Sequence, residues 1–166
     1  MTTSTAPVRA RCDWQVETLT RATGVASVQP VGQGLLVTVA DLPATGGADT
    51  TQAWLCPDGR ATVRTHAAPP ALLVSSTGAR LLPAVPGMPG VAGEDDADLL
   101  DDDILVMCSA AALQELPAGL GAILEWSPRR LGAQDPAALL RRLMAGSEVG
   151  AAVVARCRLS SPDAGG

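Results

Sequence analysis

Phenylalanine, tyrosine and lysine are absent from this chain, and Trp14, Trp54 and Trp126 are its only aromatic residues. A core made without Phe or Tyr has to be aliphatic, built of Val, Leu, Ala and Ile. No aromatic-rich groove for a small ligand is encoded. All twelve basic residues are arginine, which reflects coding bias in a GC-rich genome more than a binding surface. The formal net charge of -5 and the pI near 4.7 argue against non-specific nucleic-acid binding, which rests on clustered positive charge. No apolar run approaches the roughly 20 residues of a membrane span, and no N-terminal stretch combines a charged start, an apolar middle and a cleavage site. The expectation is a cytoplasmic protein with no membrane and no nucleic-acid partner. Cys12, Cys56, Cys108 and Cys157 contain no C-x-x-C pair, so neither a zinc site nor a small disulfide framework is signalled. They are expected to be buried reduced thiols.

What is present suits a single domain over 11–159, with a disordered tail at 1–10 and a flexible Gly/Pro tail at 160–166. Cys12 to Thr20 alternates and reads as an edge-like strand. Ala26 to Gln29 pairs with Leu35 to Ala40 through a Pro30–Gly34 turn, a hairpin that brings the second strand to Asp41. Ala53 to Cys56 turns through Pro57-Asp58-Gly59-Arg60 into Ala61 to Thr65. Ala71 to Val74 and Ala79 to Leu82 form a hairpin over Ser75-Ser76-Thr77-Gly78, starting just after Pro69-Pro70. Ile104 to Cys108 is apolar without alternation, as expected of an interior strand. Ala110 to Leu124 is helix-compatible but interrupted by Pro117 and Gly119. Asp135-Pro136 opens a helix that ends at Gly146, with Leu139, Leu140, Leu143 and Met144 on its apolar side. Ala151 to Leu159 is a closing strand.

One stretch carries more than secondary structure. His66-Ala67-Ala68-Pro69-Pro70 leads into ALLV and a Gly78 turn. A Pro/Gly loop and an acidic run follow, then Asp102-Asp103-Ile104-Leu105-Val106-Met107-Cys108-Ser109-Ala110-Ala111 and a helix. The order resembles that of the metal-dependent protein phosphatases, the SpoIIE-like bacterial branch of the type 2C fold. There the first segment usually reads A-G-H-P-P and the last G-D-x-L-L-L-x-T/S-D-G. Asp41-Leu42-Pro43-Ala44-Thr45-Gly46-Gly47 is similar to the D-V/G-x-G-H-G segment of that family, in which the Asp binds the metal pair.

The resemblance implies an α/β (α+β) fold, a reduced PPM-like β-sandwich of mostly antiparallel strands with helices from the C-terminal half on one face. The first helical pair is expected to be deleted, because only Ala48 to Gln52 separates the Asp41 loop from the next strand. It also implies a site for two Mg²⁺ or Mn²⁺ ions, held by several Asp residues, that acidify a bridging water. The motif positions here are degenerate. Ala68 stands for the Gly of G-H-P-P, Ala110 and Ala111 for D-G, and Gly150 for the carboxylate expected before the closing strand. Asp41 is the one ligand in register, with Glu148 a possible second. No catalytic residue and no cofactor are therefore assigned.

Other candidates have plainer readings. Glu94, Asp95, Asp96, Asp98, Asp101, Asp102 and Asp103 lack the D-x-D-x-D-G spacing of a calcium loop and read as a solvated surface loop. His66 has no paired nucleophile, Ser109 lacks a G-x-S-x-G elbow, and Arg129-Arg130 and Arg141-Arg142 lack a glycine-rich loop. The leading expectation is a pseudophosphatase, a catalytically inactive protein-binding or scaffold module in bacterial signalling or an assembly. The alternative is a divergent metal-dependent Ser/Thr phosphatase with a displaced site built from Asp41, Glu148 and the acidic run. A third is a purely structural subunit. Strands apolar on both sides would need cover once the helical pair is gone. Association with a protein partner or as a homodimer is expected through Trp54, Leu36 and Leu73.

Overall fold

The computed structural model describes residues 10–42, 49–84, 92–116 and 135–160. In chain order these residues form β1 (Arg11–Thr20), β2 (Ala22–Val31), β3 (Gly34–Asp41), β4 (Thr50–Leu55), β5 (Arg60–His66), β6 (Ala71–Ser75), β7 (Gly78–Leu82), β8 (Gly93–Asp98) and β9 (Ile104–Cys108). Helix α1 (Ala110–Glu115), helix α2 (Pro136–Leu143) and β10 (Val149–Ser160) complete the order. Antiparallel pairing builds two sheets, β7-β6-β9-β10-β1 and β2-β3-β4-β5-β8. They are joined by a short parallel bridge in which Val149 faces Ala22 and Gly150 faces Thr23.

Alternation explains how the sheets stack, since residues two apart share a face. Val37 and Val39 of β3, Ala53 and Leu55 of β4, and Ala61 and Val63 of β5 point inward against Leu73, Leu105, Met107, Val153 and Ala155 of the first sheet. The opposite face of the first sheet carries Leu72, Val74, Ile104, Val106, Ala152 and Val154. These pack under Ala112 of α1 and under Leu139, Leu140, Leu143 and Met144 of α2. β9 and the Ala151–Ala155 part of β10 are therefore buried on both faces, and their sequences are apolar without a period. Pro at the first turn of α2 fits its fixed φ and missing N–H.

The layer expected from the C-terminal half covers one face. β3 and β4 pair directly with only residues 42–49 between them, too few for the family's first helical pair.

Several expectations need correction. The first hairpin turns at Gly32-Gln33, not across Pro30–Gly34, because Pro30 lies on the edge of β2 and pairs with Leu35 while Gly32 takes φ +59°. Much of the acidic run is a strand rather than a loop. β8 lines the outer edge of β5 with Arg60 facing Asp98 and Arg64 facing Glu94, while Ala97 turns into the core. Charges on such an edge blunt it against further pairing. β3 and β4 are not apolar on both sides, since their outward rows read Leu36, Thr38, Ala40 and Thr50, Gln52, Trp54. β10 runs through Ser160, one residue beyond the expected tail boundary. The expectations for residues 1–9, 117–134 and 161–166 lie outside the described residues.

Candidate functional site

The sheets meet where β2, β3, α1 and β10 converge, and the Asp41 carboxylate lies at this joint. Gly24 faces Asp41 across the β2–β3 ladder. The Asp41 Oδ2 atom accepts the N–H of Ala111 at 3.0 Å, in the first turn of α1, while its Oδ1 is buried without a hydrogen-bond partner. Ser109 caps the same helix. Its Oγ accepts from Ala112 N–H at 3.4 Å and from Ala151 N–H at 3.0 Å, which ties α1 to β10. Both acceptor positions of this buried hydroxyl are engaged, so its role is a cap and not a nucleophile.

Backbone fills the remaining space. Gly150 takes φ +88°, and a Cβ there would lie 2.5 Å from Ala112 N and 2.6 Å from Ser109 Oγ. A Cβ on Gly24 would overlap the carbonyl of Gly150. The position corresponding to the expected second carboxylate is thus one where no side chain fits. Two hard divalent cations need a cage of oxygen ligands. The joint supplies one carboxylate, already spent in part on an amide, and segment 43–48 beside it contains no acid. Among the described residues no group of three or more His, Cys, Asp or Glu side chains is placed to hold a metal ion. The residues present do not fit a metal pair.

The other predicted residues are scattered. Glu148 is exposed ahead of β10. β8 lies three strands from β3 in the second sheet, about 14 Å at the usual strand spacing. Asp102 pairs with Arg158 and Asp101 accepts the Leu159 N–H, both at the far end of β10, about 27 Å along the strand from Gly150. The acidic run is therefore not brought to Asp41, whereas Glu148 lies two residues from Gly150. Ala68 sits in the β5–β6 connection, held to β4 by the Thr51 hydroxyl on the Pro69 carbonyl at 2.7 Å. His66 is half-buried beside Thr50. Arg141 and Arg142 are exposed on α2, and Arg129-Arg130 lie outside the described residues. Ala110 and Ala111 occupy the first turn of α1.

Of the three predicted contact residues, Leu36 and Trp54 face each other on the outer side of the second sheet, and Trp54 is 40% exposed. Leu73 is corrected: it is 6% exposed and packs between the sheets, out of a partner's reach. Its strand is covered on both sides, so the apolar run signalled core.

Sequence reasoning missed two features. Asp103 is buried, and desolvation raises its carboxyl above the ordinary value although it accepts the Leu100 N–H at 2.8 Å. Cys12 and Cys157, on adjacent strands, bring their sulfurs to 2.8 Å. Burial alone pushes the Cys108 thiol up to about 12, the behaviour of an inert core residue.

No family model matches the chain, and no curated protein does. Solved structures do. The RsbU and RsbW domains of a Mycobacterium tuberculosis protein superpose with a TM-score of 0.70 at 14% identity, over 94% of this chain and 62% of that one. The phosphatase domain of SpoIIE from Bacillus subtilis, with a fragment of its regulatory domain, gives a TM-score of 0.68 at 10% identity, over 92% and 65%. RsbX in complex with magnesium gives 0.58 at 9% identity, over 91% and 100%. This chain spans less than two thirds of the first two structures. The fold is the PP2C type, in the arrangement of the SpoIIE-like phosphatase domains.

Proposed function

We propose that this PP2C-type fold serves as a protein-binding module without phosphatase turnover. One observation carries the reading. Among the described residues, no group of three or more possible ligands stands at the joint where the fold would hold its cations; Asp41 serves there as an acceptor for α1, while Gly24 and Gly150 bring backbone into close contact. A water can be acidified between two metal ions only if both are held against hydration, and one carboxylate does not do that.

The binding face is the outer side of the second sheet. The described helices pack on the first sheet, and on the outer side of the second Trp54 is 40% exposed beside half-buried Leu36, among Thr38, Gln52 and Thr62. An exposed Trp ringed by polar residues has the make-up of an interface anchor. The occupant is another protein chain, a second copy or a regulatory partner.

The test is turnover. Purified chain is assayed on an aryl phosphate and on a phosphoserine peptide with millimolar Mn²⁺ or Mg²⁺. The rate should equal that of Asp41→Ala and of buffer. Metal-dependent turnover that disappears in Asp41→Ala would overturn the reading.

A further inference from the structure

We infer that Cys12 and Cys157 are a site of reversible oxidation, closing a disulfide that staples β1 to β10 when the chain meets a hydroperoxide. The two residues are 145 positions apart and carry no motif, so only the fold unites them. In the β1–β10 ladder Cys12 faces Leu159 and Trp14 faces Cys157, which places the cysteines diagonally on the same inward side. Their sulfurs stand 2.8 Å apart, closer than unbonded sulfurs ordinarily approach. A disulfide needs about 2.04 Å, so the sulfurs have about 0.8 Å to close. Cys108 lies on the helix-covered side of the first sheet, away from the pair.

The pair also has an internal division of labour. The hydrogen bond between the sulfurs lowers the Cys12 pKa and raises that of Cys157, so Cys12 is the sulfur that gives up its proton more readily and attacks first. In the reaction the Cys12 sulfur attacks one peroxide oxygen, breaking the O–O bond and leaving a sulfenic acid and hydroxide or alkoxide. The Cys157 sulfur then displaces hydroxide from the Cys12 sulfur, and the Cys157 proton leaves with it as water. Two thiol sulfurs lose two electrons, and the peroxide takes them up. Both sulfurs are buried, so the first step needs β1 to open at its Arg11 end. That end is held by the Cys12 N–H on the Pro57 carbonyl and by the Ser160 hydroxyl on Arg11, and terminal strands open more readily than core strands.

The staple joins the first and last strands of the domain. Closing so long a loop restricts the unfolded chain most, and a rise in Tm on the order of 10 °C is expected. The full chain is treated with hydrogen peroxide under native conditions, quenched, and its thiols titrated in denaturant. The four free thiols should fall to two. Digestion should give the Cys12 and Cys157 peptides joined, with the Tm rise reversed by dithiothreitol. Cys12→Ser and Cys157→Ala should abolish the loss, and Cys56→Ser should not. If a Cys12 variant fails to fold, peptide mapping of the unsubstituted chain decides alone. Retention of four thiols, or loss mapped to Cys56, Cys108 or an intermolecular bond, would overturn the proposal.

Discussion

Replacing Gly150 with alanine asks whether backbone really closes the joint. The glycine sits at φ +88°, where an L side chain is strained by about 1–3 kcal/mol. Its new Cβ would also press on Ala112 N at 2.5 Å, Ser109 Oγ at 2.6 Å and Ala112 Cβ at 2.7 Å, atoms of a capped helix end that cannot swing away. Overpacking of that kind costs about 1–3 kcal/mol. The sum, about 2–6 kcal/mol, is a large part of the 5–15 kcal/mol that holds a typical domain, and for this size corresponds to a Tm loss of about 4–24 °C. Urea unfolding followed by tryptophan fluorescence measures it. Gly150→Asp, which restores the family's carboxylate, should be at least as damaging, and Mn²⁺ should not rescue it. A Gly150→Ala midpoint within about 0.5 kcal/mol of the parent would refute the packing argument. A large Mn²⁺-dependent stabilisation of Gly150→Asp would show that the joint still accepts metal.

Asp41→Ala removes the acceptor of Ala111 N–H and should cost about 1 kcal/mol in urea unfolding. Asp41→Asn, which keeps an accepting oxygen and removes charge from a buried unpartnered one, should cost less. Asp103 gives a pH signature. Its folded-state pKa is raised by burial, so the folded state binds the proton more tightly. That contribution to stability is fully present below the unfolded value near 3.8 and is lost as pH rises through the raised folded value. Asp103→Asn should therefore gain on the parent at pH 7, and the gain should vanish below pH 4 in parallel urea titrations. Trp54→Arg should leave Tm nearly unchanged, because the side chain is 40% exposed. It should abolish association seen by light scattering, through an interface burying more than about 1,200 Å².

How much could be read beforehand depended on whether the signal was local. Hairpins at Gly78 and Gly59, the Pro136 helix start and the apolar β9 run were legible, because turn chemistry and burial on both faces leave a mark within a few residues. The acidic strand β8 was not legible. Carboxylates disfavour strands in isolation, and only the neighbouring Arg60 and Arg64 of β5 make that edge favourable. Trp54 stands 40% exposed on the outer row of β4, whereas Leu73 is buried, because an all-apolar ALLV run is covered on both faces and offers no side to a partner. At the joint, the missing carboxylates could be listed from the motifs. That Gly24 and Gly150 interlock, and that Asp41 is turned to a backbone amide, depends on contacts between residues more than 60 positions apart. The sulfur pair is hidden for the same reason.

Calorimetric titration of the reduced chain with Mn²⁺, run beside Asp41→Ala, measures directly whether the joint takes up a metal pair. No saturable uptake in the micromolar range is expected, with superimposable traces for the two proteins. Saturable binding of two ions per chain, lost on removal of the Asp41 carboxylate, would contradict this expectation.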